Sequence, residues 1–153
     1  MFPAKKIVCP TDFSDGSNQA IGEASELALQ FGAEVYLVHV TAFLPPMTEP
    51  GIPILQEELH EDVEAQLRKI AEPLTAKGLR TQIVIRDGDA AAEIVGVAQE
   101  VGADLIVIAT HGNTGWRHLA FGSVTEKVVR FATCPVLTTR MMSAKATSVP
   151  RAA

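Results

Sequence analysis

The chain is poor in cysteine, in positive charge and in long apolar runs, and each shortage removes a class of function. Two cysteines in 153 residues are too few for a disulfide framework and favour reduced thiols. A net charge of -5 gives no general attraction to nucleic acid or to anionic lipid, so neither is expected as a partner. No apolar run approaches the ~20 residues that cross a bilayer, and the opening "MFPAKKIVCP" lacks the long apolar region and small-residue cleavage site of a signal peptide. A soluble, cytoplasmic protein with no membrane segment is expected. Phosphate signatures are missing too: there is no GxxxxGK[ST], and "CPTDFSDGS" stands where a GxGxxG would follow the first strand. Nucleotide binding by either route is excluded. Internal repeats are also absent.

What is present is a strict alternation of two periods. Short β-branched runs at Lys6 to Pro10, Glu34 to Val40, Thr81 to Arg86, Asp104 to Ala109 and Pro135 to Arg140 predict five strands. Between them, apolar residues recur every three or four positions: Ile21, Ala24, Ala28 and Phe31; Leu59, Val63, Leu67, Ile70 and Leu74; Ala91, Ile94, Ala98 and Val101; Val124, Val128 and Phe131. Each set predicts a helix with one apolar stripe. Right-handed βαβ crossovers then give an open, doubly wound α/β domain, a five-stranded parallel sheet with helices on both faces. The third and fourth strands, apolar almost throughout, are expected to be covered on both faces. Ser14 or Ser17, and Asp89, are candidate helix caps, and Gly32 and Gly78 follow helix ends.

The domain is expected over residues 1–142, with a loose tail over 143–153. "TAFLPPMTEPGIPI" (41–54) holds four prolines and predicts a long exposed flap. Pro73 interrupts the longest helical pattern and predicts a kink or an early end. Cys9 in the first strand and Cys134 at the start of the last have one strand between them, which puts them beyond the roughly 7 Å Cα reach of a disulfide.

In an open parallel sheet, ligands bind beyond the carboxyl ends of the strands where strand order reverses. "ATHGNTGWRHLAFGSV" (109–124) leaves the fourth strand there and ends where Gly122 and Ser123 open a helix. A helix start offers free N–H groups and a positive dipole end, and serine adds a hydroxyl, so an anion is the natural occupant.

These residues carry a resemblance. "IVCPTDFSDGSNQAI", "VYLVHV" and "ADLIVIATHGNTGWRHLAFGSVTEKVVRFATCPVLTTR" are similar to the universal stress protein family over about residues 5 to 140. The resemblance implies a Rossmann-like sheet of order 3-2-1-4-5, a homodimer through the strand at 135–140, and a role in stress response. One branch of that family binds ATP through G-x2-G-x9-G-[ST], and another lacks the motif and binds no nucleotide. Gly112, Gly122 and Ser123 match the second, third and fourth positions, and Ala109 replaces the first glycine. Alanine there would clash at positive φ or where the backbone touched phosphate directly, and would fit an extended strand end. The remaining implied nucleotide site is Pro10, Thr11, Asp12, Val40, Ile108, His111 and Val124. Asp12 is placed to accept from ribose or adenine, Val40 to present its backbone to an adenine edge, and Mg or Mn to accompany the phosphates.

Plainer readings stand beside these. Asp12 could simply cap the next helix, and Gly112 and Gly115 could serve only a turn. His111 and His118 lack the carboxylate or cysteine partners of a metal site, so no protein-held metal is expected. His39 reads as a hydrogen-bonded interior side chain, and Trp116 as a plug or a lid. The leading function is an ATP-binding regulatory protein of the stress response. The alternatives are a slow ATPase, opposed by the lack of a phosphate lysine, arginine finger or placed base in the stretch, and a nucleotide-free dimeric interaction module, favoured by Ala109. No catalytic residue is assigned.

Overall fold

The computed structural model describes residues 2–42, 52–111 and 121–141. Its elements follow in the order β1 (Lys6–Pro10), α1 (Asp15–Phe31), β2 (Glu34–Thr41), α2 (Ile52–Ala76), β3 (Arg80–Asp87), α3 (Ala90–Val101), β4 (Leu105–Ala109), α4 (Ser123–Phe131) and β5 (Val136–Thr139). All pairings are parallel, and the strands lie in the order β3-β2-β1-β4-β5. The expected doubly wound, Rossmann-like sheet is the one formed.

Period two in the strands sorts the core into two layers. Ile7, Cys9, Val35, Leu37, Leu105 and Val107 meet Ala24 and Ala28 of α1 and Val63 and Leu67 of α2 on one face. Val8, Val38, Ile106 and Ile108 meet Ile94 and Ala98 of α3 and Val128 of α4 on the other. The central strands β1 and β4 are buried through both faces, which is why their sequences do not alternate.

β3 departs from that expectation. It is the outer strand next to β2, and none of its residues is fully buried. An edge strand is covered on one side of the sheet and open along its free edge, so an apolar run did not imply two covered faces. Two helix positions also differ. Leu59 is 45% exposed and Phe131 is 61% exposed, although both continue apolar stripes. α2 has 25 residues, roughly 37 Å of helix, whereas the eight residues of β3 extend roughly 26 Å; its early turns therefore overhang the sheet. Phe131 ends α4 beside the outer strand β5.

Helix ends follow local chemistry. Ser14 caps α1 by accepting from Ser17 N at 3.2 Å, and Asp89 caps α3 by accepting from Ala92 N at 3.0 Å. Gly32 closes α1 at φ 66°, and Gly78 follows α2 at φ 88°; both conformations favour glycine. Pro73 does not stop α2, which continues to Ala76. Pro73 and Lys69 are both exposed, so the carbonyl that loses its helical partner is on the solvent side. The flap is shorter than expected at its far end, because Ile52–Ile54 belong to α2 and a proline such as Pro53 is tolerated in a first helical turn. Residues 43–51 of the flap, residues 112–120 and the expected tail lie outside the described residues. Among the described residues no helix is long and apolar enough to cross a membrane.

Candidate functional site

Strand order reverses between β1 and β4, and a cavity of about 360 Å³ opens at their carboxyl ends. Pro10, Thr11 and Asp12 leave β1 into it, Val40 comes from β2, and Ile108, Ala109 and His111 come from β4. Gly122, Ser123 and Val124 close it with the start of α4. Ten of the eleven sequence-predicted site residues thus line one cavity, and the eleventh, Gly112, lies outside the described residues. Trp116 and His118 do too.

The start of α4 is open. Its N-cap is Gly122, in an extended conformation, and among the described residues no side chain caps it. First-turn N–H groups have no partner inside a helix. Here they belong to residues that line the cavity. Proximity, not dihedral freedom, favours glycine at 122: its N–H donates to Thr110 O at 2.7 Å, and a Cβ would make a tight 3.2 Å contact with that same oxygen. Thr125 Oγ1 donates to Ala109 O at 2.7 Å, so two bonds lock α4 onto the end of β4.

Ala109 is a strand residue, paired with Thr139. Its methyl packs against the core layer beneath α1. Phe13 is the one non-glycine residue at positive φ among the described residues, so Ala109 carries no such strain. The replaced glycine is accommodated as the extended strand end allows.

The β1 loop is held by its own hydroxyls. Thr11 N donates to Val38 O at 2.8 Å. Thr11 Oγ1 accepts from Phe13 N at 3.0 Å and lies 3.0 Å from Ser17 Oγ. Asp12 Oδ1 accepts from Ser14 N at 3.0 Å and from the Ser14 hydroxyl. The helix cap is therefore Ser14, and Asp12 braces it. Phe13, at φ 64°, stores about 1–2 kcal/mol of backbone strain, and its ring stacks on His39 at 4.6 Å. His39 Nδ1 lies 2.8 Å from Thr11 O; a carbonyl only accepts, so that nitrogen carries the proton.

Sequence reasoning missed several members of this region. Ser17, Val38, His39, Ala90, Ile94 and Thr125 also line the cavity; Ala90 and Ile94 arrive from α3, whose approach no motif announces. Gly16 was missed as well: a Cβ there would lie 2.8 Å from His111 O. A second polar cluster lies along the same sheet edge, where Thr41 donates to Asp87 and His60 Nε2 meets Asp87 Oδ1 at 2.9 Å. Those bonds hold the Asp87 carboxyl below its usual range. The only available signal was that Thr41 and Asp87 end neighbouring strands.

Thiol chemistry is disfavoured. Both cysteines are free, burial pushes the Cys9 thiol up to about 12, and burial also raises Cys134. Among the described residues no three His, Cys, Asp or Glu side chains converge as a metal-ligand set.

Known proteins agree with this architecture. The chain is 38% identical over 136 residues to the universal stress protein MJ0531 of Methanocaldococcus jannaschii, an alignment covering 87% of this chain and 80% of that one. The solved structure of the M. jannaschii protein MJ0577 superposes with a TM-score of 0.83 at 30% identity, over 92% of this chain and 98% of that chain. A universal stress protein solved in complex with cAMP superposes with a TM-score of 0.68 at 25% identity, over 90% and 97% of the two chains. The model of the Universal stress protein family matches residues 3–140, and with the parallel 3-2-1-4-5 sheet and its cavity in place, the chain belongs to the universal stress protein family.

Proposed function

We propose that this member of a stress-response family is a regulatory protein whose cavity binds an adenine nucleotide, with ATP as the principal ligand. The observation that carries this reading is the uncapped start of α4 at the mouth of the cavity, a positive dipole end with free N–H groups suited to phosphate. Ser123 adds a hydroxyl donor, and Gly112 precedes it at the family motif's spacing. Asp12 faces the ribose side on the turn that Pro10 and Thr11 shape, and the backbone of Val40 reads the base edge, with Ile108, Ala109, His111 and Val124 as the enclosing wall. The cavity's size falls in the usual range for small ligands, about 300–1,000 Å³. A relative in complex with cAMP, itself an adenine nucleotide, supports the ligand class. The extended backbone at Ala109 removes the backbone strain that would favour a nucleotide-free module.

Mg²⁺ or Mn²⁺ enters in this reading with the phosphates. The described side chains offer no donor cluster of their own. Two copies associate through β5, in support of which Leu137, Val129 and Phe131 expose large apolar side chains on or beside that edge. The site of action is the cytoplasm, and the working output is a nucleotide-dependent state of the dimer. The test is calorimetric titration of ATP with Mg²⁺, paired with mass spectrometry of small molecules released from denatured, freshly purified protein. Saturable ATP binding at one site per chain is expected. An empty protein that shows no heat with ATP, ADP or AMP overturns the reading.

A further inference from the structure

Among the described residues, the lining of the cavity supplies no lysine or arginine to the outer phosphates. α4 holds one. Lys127 follows Val124 and Ser123 by three and four residues, so it shares a helix face with two residues that line the cavity. Long side chains on a helix lean back over the preceding turn, which here is the uncapped turn at the cavity mouth. It has a partner on another element: Lys127 Nζ lies 3.7 Å from Asp89 Oδ1. Asp89 is the N-cap of α3 and immediately precedes Ala90, which lines the cavity. The ion pair therefore spans the gap between two helix starts that share one pocket.

Both side chains of the pair are more than half exposed, so the pair itself contributes little to folding. An exposed pair of this kind exchanges partners readily. A polyphosphate is a better partner for an ammonium than one carboxylate, because it offers several anionic oxygens in charge-assisted hydrogen bonds.

We propose that Lys127 is the residue that reads the length of the phosphate chain: Asp89 holds its ammonium near the lip of the cavity, and the outer phosphates of a bound nucleotide take it over. This rests on the nucleotide-binding reading of the cavity and adds the specificity that reading lacks. The α4 turn binds the phosphate nearest the ribose in any adenine nucleotide, whereas Lys127 engages only a chain that extends past it. Asp89 plays the opposing part, since its carboxylate competes for the same ammonium.

The experiment is calorimetric titration of ATP and AMP, each with and without Mg²⁺, into wild type, Lys127→Met, Lys127→Arg, Asp89→Asn and the Lys127→Met/Asp89→Asn double variant. Wild type is expected to prefer ATP. Lys127→Met should lose about 10-fold in ATP affinity, the size of one charge-assisted hydrogen bond, while AMP affinity changes less than about 2-fold; Lys127→Arg should retain the preference. Asn still caps a helix, so Asp89→Asn should keep α3 intact and tighten ATP, and that gain should vanish in the double variant. Equal losses for ATP and AMP, or no loss for either, overturn the role of Lys127. A gain from Asp89→Asn that persists without Lys127 overturns the holding role of Asp89. Wild type that binds neither nucleotide overturns the cavity reading itself, and this inference with it.

Discussion

Gly16 and His111 approach so closely that no side chain fits between them: a Cβ on Gly16 would stand 2.8 Å from the His111 carbonyl oxygen. The first turn of α1 and the exit of β4 are thereby pressed together across 95 positions of sequence, at the rim of the cavity.

That contact inverts the ordinary effect of replacing a helical glycine. In an open helix position, Gly→Ala stabilises by roughly 0.5–1 kcal/mol, and Gly22, also in α1 with nothing within 4 Å of a built Cβ, should show that gain. Gly16→Ala should destabilise by about 1–3 kcal/mol, because a backbone oxygen must move. Urea unfolding of both variants checks the pair of signs. Two stabilised proteins would falsify the close approach.

The phosphate position is tested by Gly122 and Ala109 together. Gly122→Val should lower ATP affinity by at least ~10-fold, since a branched side chain crowds the Thr110 carbonyl and displaces charge-assisted donors. Ala109→Gly should leave ATP affinity within about 3-fold and cost up to roughly 1 kcal/mol of stability, as a partly buried methyl and strand stiffness are lost. Calorimetry, after circular dichroism has shown each variant to be folded, separates the outcomes. A large gain of binding in Ala109→Gly would mean that the methyl, set in the core beneath α1, blocks the ligand after all.

Asp87 gives a pH dependence with a defined sign. Hydrogen bonds from Thr41 and then His60 depress its folded-state pKa. A depressed carboxyl contributes stability that is present above its unfolded value of about 3.9 and lost as pH falls through the lower folded value. Asp87→Asn should therefore be less stable than wild type at neutral pH, with the gap closing below about pH 4. A gap of constant size in urea midpoints from pH 7 to pH 3 would contradict the linkage.

The β5 edge predicts the oligomeric state. Leu137 is 39% exposed on an edge strand, with Phe131 and Val129 exposed on the neighbouring helix. Wild type should sediment as a dimer at micromolar concentration, and Leu137→Lys, which adds charge to the edge, should sediment as a monomer. A monomeric wild type removes the expected interface.

Thiol titration reports the core. Cys9 is fully buried with its thiol pushed up to about 12, so it should not react with an aromatic disulfide reagent in the native protein. Two thiols should titrate after unfolding without reductant. A single free thiol, or none, in the unfolded chain would show a bridge that the structure lacks.

Much of this architecture was legible in the chain because it is encoded by neighbours. Ile7, Cys9, Val35 and Leu37 alternate, Val63, Leu67 and Leu74 recur at helical spacing, and Ser14, Asp89 and Gly32 mark helix ends through their own side chains or backbone. Such signals act over a few residues, so periodicity and cap chemistry determine strands, helices and, through right-handed crossovers, the doubly wound sheet. Family resemblance added the strand order and named Asp12, Val40, Gly122 and Ser123 as one site. Tertiary structure decided what depends on distance between elements. Whether Leu59 and Phe131 are covered depends on where the sheet ends; why position 16 must be glycine depends on a carbonyl 95 residues away. That Thr41, His60 and Asp87 meet, or that Lys127 faces Asp89, depends on how α2, α3 and α4 settle on the sheet. None of these contacts has a period, since each arises between groups that only the packed fold brings within a few ångströms.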